Sequence, residues 1–181
     1  MFIEFIGVPA SGKSTIAAKI FSKLKEENHH CEFILEYARH YIARKKYDNE
    51  GKDIILTNED QLKIFVKQFY LQKVMLGSCP LVITDSSIFN TLLYKDKNYQ
   101  DSYFRSKIEE HEVDIVFFCY PVKRNNVKDT NRVHSEQFSI DLHKKSLDIL
   151  KSYTDIDNFI HLDGDVETRF NIAYNTIKER L

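Results

Sequence analysis

Glycine and proline are scarce, five and three residues in a chain of 181, which leaves no room for a collagenous or linker-rich design. The three cysteines, Cys31, Cys79 and Cys119, are odd in number and share no metal-ligand spacing, which argues against a disulfide framework or a zinc site. Each lies in or beside an apolar run, the setting of a buried reduced thiol in a cytosolic protein. Charge of one sign is also lacking: 26 Lys+Arg face 27 Asp+Glu, a net charge of -1. That balance argues against a protein that coats polyanions. Apolar runs are short and broken by charge, so no membrane-spanning helix is expected. The opening Met1-Phe2-Ile3-Glu4-Phe5 has no basic segment and reads as a strand, not a signal peptide. A cytoplasmic location is the expectation.

What is present is globular. Hydrophobic residues make up 43% of the chain and charged residues 29%, unlike a disordered segment. A chain this long buries roughly 70% of its unfolded surface, enough for one complete domain over residues 1–181.

Short apolar runs alternate with amphipathic ones. Strands are predicted at Phe2–Ile6, Cys31–Glu36, Pro80–Asp85, Asp114–Cys119 and Asn158–Leu162. Helices are predicted from Lys13 to about Glu27, Tyr37 to about Tyr47, Asn58 to Leu76, and over about 87–111. Two more run from Ser135 to Tyr153 and from Asp165 to Leu181. Asn58 offers an N-cap with Gln61 as capping-box partner. The face behind it carries Leu62, Phe65, Val66, Phe69 and Leu76, with Gln61, Gln68 and Gln72 at its border. Five strands separated by helices imply an α/β fold: a five-stranded parallel sheet with right-handed crossovers and helices on both faces. Ligands of such folds sit at the carboxyl ends of the strands, where every motif below falls.

Gly7-Val8-Pro9-Ala10-Ser11-Gly12-Lys13-Ser14 matches G-x-x-x-x-G-K-S between a strand and a helix, the context a P-loop requires. Its glycines let the backbone curl around phosphates with N–H groups pointing inward. Lys13 reaches the outer phosphates, the Ser14 hydroxyl suits Mg2+, and the helix N-terminus adds partial positive charge. Gly7, Pro9, Ala10, Ser11, Gly12, Lys13, Ser14 and Thr15 are therefore the candidate NTP-binding residues.

Asp85 ends the third strand where a carboxylate holds Mg2+ directly or through water; a helix N-cap is its other reading. Glu36 ends the second strand, where it could accept a proton from an acceptor hydroxyl or grip ribose hydroxyls. A solvated first-turn glutamate is the alternative. Arg39, one turn later, could bind an acceptor or pair with Glu36. Gln68 either looks over the strand ends, where an amide could read a planar base, or is a solvated residue at the border of that face. Asp163-Gly164-Asp165 follows the fifth strand, where a turn could approach an adenine edge or simply start a helix. Residues 121–135 lack apolar periodicity and follow the fourth strand, as a basic lid over the phosphates would; a solvated charged face is the other reading. Arg132 is the first candidate there to neutralise transferring charge, and Arg124 the second.

With these residues in view the chain resembles the small P-loop kinases of the nucleoside and nucleotide kinase group. It is most like the AAA-type ATPase/kinase family that includes the nicotinamide-riboside kinase domain of bacterial bifunctional NAD-biosynthesis regulators. The likeness rests on GVPASGKST at 7–15, EYARHYI at 36–42, VITDSSIFNTLLY at 82–94, KDTNR at 128–132 and HLDGDVETRF at 161–170. It implies a P-loop NTPase fold, ATP and Mg2+ as cofactors, Glu36 as base, Arg39 at the acceptor, Asp85 at the metal and Arg132 on the lid. Where many relatives carry an arginine or a second acid after the metal-associated acid, this chain has Ser86 and Ser87.

Three functions follow as expectations. The first is a kinase for a hydroxyl on a nucleoside-like or nucleotide-like small molecule. The second is a polynucleotide kinase, acting on a 5′-hydroxyl or a hydroxymethylated base in DNA. The third is a regulatory NTPase with no acceptor but water. Residues 39–52 and 121–132 each carry a net +3, leaving -7 for the rest of the chain. That local charge keeps a nucleic-acid acceptor open despite the neutral total.

Overall fold

The computed structural model describes residues 1–122 and 136–181, without the side chains of Glu136 and Ser139. Among these residues the strands are β1 (Phe2–Ile6), β2 (Cys31–Ile34), β3 (Leu81–Thr84), β4 (Ile115–Cys119) and β5 (Ile160–Leu162). The helices are α1 (Lys13–Glu26), α2 (Tyr37–Asp48), α3 (Asn58–Leu76), α4 (Phe89–Leu92), α5 (Asp101–Glu109), α6 (Glu136–Lys151) and α7 (Val166–Lys178). All strand pairings are parallel, in the order β2-β3-β1-β4-β5. β1 is the central strand and all five of its residues are buried, as a strand covered on both faces must be.

The alternation of β1 sorts its side chains onto two faces. Ile3 and Phe5 join Ile16, Ile20 and Leu24 of α1 with Ala173 and Ile177 of α7. On the opposite face Ile6 packs with Phe65 of α3, Phe104 of α5 and Leu142 of α6. Glu4 shares that second face and is fully buried. The three cysteines are free and buried, and among the described residues no helix is long and apolar enough to cross a membrane.

Three expectations are corrected. The α3 cap is Thr57, not Asn58: its hydroxyl accepts Asp60 N–H, and Asp60 Oδ2 accepts Thr57 N–H at 2.8 Å, so Asp60 replaces Gln61 as partner. Thr57 has the extended backbone that a cap needs. The inward face of α3 is also different. Gln61, Gln68 and Gln72 are buried while Val66 is exposed, because Gln68 and Gln72 meet buried polar partners described below. The helical stretch 87–111 is two helices. Between them the chain wraps the buried Lys95 ammonium, which donates to the carbonyls of Asp96 and Lys97 and to Asp101. Smaller shifts shorten β2 to Cys31–Ile34, leaving Glu36 as the N-cap residue of α2.

Candidate active site

β1 delivers the chain to residues 7–12, which turn back into α1. Gly7 has φ 149° and Gly12 φ 82°. A Cβ on Gly7 would lie 2.6 Å from the Cys119 carbonyl oxygen, so only glycine lets the loop press against the end of β4. Ala10 holds a left-handed φ of 65°, strain of a kind concentrated at functional loops. Lys13 opens α1, and its ammonium donates to the carbonyls of Gly7 (2.7 Å) and Val8 (3.0 Å) and to the Ser11 hydroxyl (3.4 Å). Burial lowers the Lys13 pKa, while Glu36, Cys119 and Asp85 oppose that shift. Two acidic side chains from different strand ends thus lie within electrostatic reach of one ammonium. Ser14 is half-buried and Thr15 exposed.

Asp85 follows β3 and is 2% exposed. Burial raises its pKa; a hydrogen bond from Ser14 works against this, and the charge of Glu36 works with it. Asp85 Oδ1 has no hydrogen-bond partner among the described residues, and Asp85 caps no helix, since Ile88 is the N-cap residue of α4. A buried acidic oxygen left without a donor, beside a P-loop hydroxyl, suits Mg2+. That ion binds through one or two protein oxygens plus substrate phosphates and keeps several waters. Ser14 and Asp85 therefore fit it. No cluster of three or more His, Cys, Asp or Glu that could hold a metal occurs among the described residues.

Beyond Asp85, at the end of the edge strand β2, Glu36 has extended backbone and makes no side-chain cap. Arg39 Nε donates to Glu36 Oε2 at 2.8 Å, the pairing that their spacing on α2 allows. Gln68 Oε1 accepts the Tyr37 N–H at 2.9 Å, and its Nε2 is buried without a partner among the described residues. Gln68 therefore sits beneath the start of α2 and not at a solvated border. Tyr94 lies in the field of Glu36, which together with burial raises its pKa. Its ring stacks with Phe138 of α6 at 6.5 Å between centroids. Asp163, in the β5–α7 turn, accepts the Gly164 N–H at 2.7 Å. Arg124 and Arg132 lie outside the described residues.

Three further groups escaped the sequence reading. Asn90 Oδ1 accepts the Gly7 N–H at 3.3 Å. Glu4, on β1, accepts from Gln72 Nε2 at 3.1 Å and from the Ser87 hydroxyl at 2.6 Å. Gln72 Nε2 also donates to the Ser86 carbonyl. The two serines after Asp85 are thus tied to β1 and α3. Arg169 is 2% exposed and lies behind the phosphate loop. Two of them carried a signal: an acid inside an otherwise apolar strand, and an arginine in step with buried Ala173 and Ile177 on α7.

Residues 2–169 match the family described as an AAA domain. No curated protein matches the chain. Among solved structures, the NadR protein in complex with NR aligns with a TM-score of 0.77 at 18% identity, covering 98% of this chain and 50% of that one. The chain spans about half the length of that protein. A deoxyadenosine kinase from M. mycoides aligns with a TM-score of 0.62 at 18% identity, covering 100% of both chains. A thymidylate kinase from Candida albicans aligns with 0.68 at 15% identity, over 99% of this chain and 91% of that one. The fold is that of P-loop kinases, as the sequence resemblance implied.

Proposed function

The chain belongs to the AAA domain family, and from that premise we propose that it is a kinase. It transfers the γ-phosphoryl group of ATP to a hydroxyl of a nucleoside-like or nucleotide-like small molecule. The observation that carries this reading is the placement of Asp85 and Glu36 after the adjacent strands β3 and β2, where the charge of each bears on Lys13. The second of these, Glu36, can take the proton of an acceptor hydroxyl. Its neighbour Arg39 and the Tyr94–Phe138 ring pair give that side a charged edge and an aromatic wall, suited to a sugar and a base.

In this reading the loop amides and Lys13 hold the β- and γ-phosphates, and Asp163 lies toward the adenine. Ser14 and Asp85 hold Mg2+, which when bound draws charge from the phosphate oxygens. Glu36 accepts the proton as the acceptor oxygen bonds to the γ-phosphorus. The bond from that phosphorus to the β,γ-bridging oxygen breaks, and ADP departs with its electron pair. Arg39 orients Glu36 and exchanges its partner for an acceptor group, while Gln68 fixes the start of α2 on which both are carried. Arg132 and Arg124, the residues proposed to neutralise the transferring charge, lie outside the described residues. An oligonucleotide acceptor draws support only from the two basic segments, one of which lies largely outside the described residues.

The test is ATP turnover across a panel of nucleosides and nucleotides, with single-stranded oligonucleotides as a further arm. Phosphorylated product from one small molecule, reduced at least ~100-fold in Glu36→Gln, is the expected result. Hydrolysis that no acceptor stimulates, unchanged in Glu36→Gln, would overturn it.

A further inference from the structure

Arg169 comes from α7, a helix remote in sequence from the phosphate loop, yet its side chain ends against that loop. Nη1 donates to the Ser11 carbonyl at 2.9 Å and to the Tyr120 carbonyl at 2.8 Å, and Nε donates to the Gly164 carbonyl at 2.8 Å. Three acceptors from three strand-end loops share one guanidinium. Among the described residues the acidic group that pairs with it is Asp163, at 3.7 Å and largely exposed. A Cβ placed on Gly12 would lie 3.9 Å from Nη1, so the charge sits directly under the turn into α1.

The peptide between Ser11 and Gly12 is planar and trans, so its carbonyl and its N–H point in opposite directions. Holding the Ser11 oxygen toward α7 turns the Gly12 N–H the other way. Gly12 lacks a Cβ and stands at φ 82°, a backbone with little intrinsic preference to keep that orientation. We propose that Arg169 is a positioning residue that aims the Gly12 N–H at the nucleotide phosphates by gripping the Ser11 carbonyl from behind. The proposal rests on the reading of residues 7–15 as a nucleotide site. Arginine suits the task because its rigid fork serves separate acceptors at fixed angles, which a lysine ammonium does not.

The experiment uses the full chain. In 15N-labelled wild-type protein the Gly12 amide resonance is followed as pyrophosphate is added, and ADP affinity is measured by calorimetry in wild type, Arg169→Lys and Arg169→Met. The wild-type Gly12 amide is expected to move strongly downfield. Either folded variant is expected to show a smaller shift and at least ~10-fold weaker ADP binding, the loss of about one charge-assisted hydrogen bond. In turnover assays the KM for ATP rises while the KM for the acceptor stays within about threefold. A folded variant that binds ADP within twofold of wild type overturns the role of Arg169. So does a wild-type Gly12 amide that ignores pyrophosphate while the protein binds it, a result that needs no variant. Failure of the wild type to bind ADP or pyrophosphate sinks the nucleotide-site reading itself.

Discussion

The Glu4 side chain and the His111 imidazole meet at 3.0 Å with both side chains almost wholly buried. They join the central strand to the residue that follows α5 by two. The ring of His111 is flanked by Phe2, Phe69 and Phe89, so water cannot replace either partner. Glu4 also takes the Ser87 hydroxyl, which makes the pair the anchor for the segment just after Asp85. Replacing His111 by Phe removes one donor from a dry acidic group. A loss of about 3 kcal/mol in urea unfolding is expected. Nucleotide turnover should fall with it, because the Asp85 segment loses its tether.

Asp85 makes a different prediction. Its Oδ1 is buried and unpartnered among the described residues, and burial is the main cause of its raised pKa. Asp85→Asn removes a charge that the apo protein holds at a cost. Thermal unfolding without ligands should occur at an equal or higher temperature, while Mg2+ no longer tightens ADP binding and turnover falls at least ~100-fold. Stability and activity moving in opposite directions is the signature of a group kept for function.

Gly7→Ala tests the close approach of the loop to β4. The new Cβ meets a backbone oxygen at 2.6 Å, which cannot swing aside as a side chain can, and φ 149° adds strain. A destabilisation of roughly 2–4 kcal/mol is expected by urea titration. Gly51→Ala is the control: φ is 78° there with no atom within 4 Å of the added carbon, and only about 1 kcal/mol should be lost.

The Asp60 carboxyl predicts a pH dependence. Burial alone would raise its pKa, but hydrogen bonds from Lys45, Tyr41 and Thr57 outweigh it and hold the group well below its ordinary value of 3.8. A depressed pKa means that the unfolded chain binds the proton more readily. The stabilisation is complete above about pH 5 and is lost progressively as pH falls through 3.8 toward the folded value. Urea unfolding of wild type and Asp60→Asn between pH 6 and pH 2 should show a stability gap that is constant above about pH 5 and narrows in acid. Because Lys45 and Tyr41 lie on α2 and Asp60 on α3, loosening of α2 should accompany the narrowing.

Much of this was legible beforehand for a local reason. The phosphate loop needs glycines and a lysine at set spacing, and a short apolar run ended by Asp85 can serve one kind of strand. The α3 face was misread because apolar size was taken as the guide. Val66 is apolar and exposed, while Gln68 and Gln72 are buried because their partners, Tyr37, Glu4 and Ser86, come from other elements. No window of α3 contains them.

The sparse cysteines, balanced charge and broken apolar runs determined the class of chain. The alternation of strands and helices determined its layers, since period and burial are properties of neighbouring residues. Strand order, the burial of Glu4 against His111, and the reach of Arg169 to Ser11 across 158 positions were decided only by tertiary structure. These contacts join distant segments through the sheet, and a buried polar group is tolerated only where the fold brings its partner.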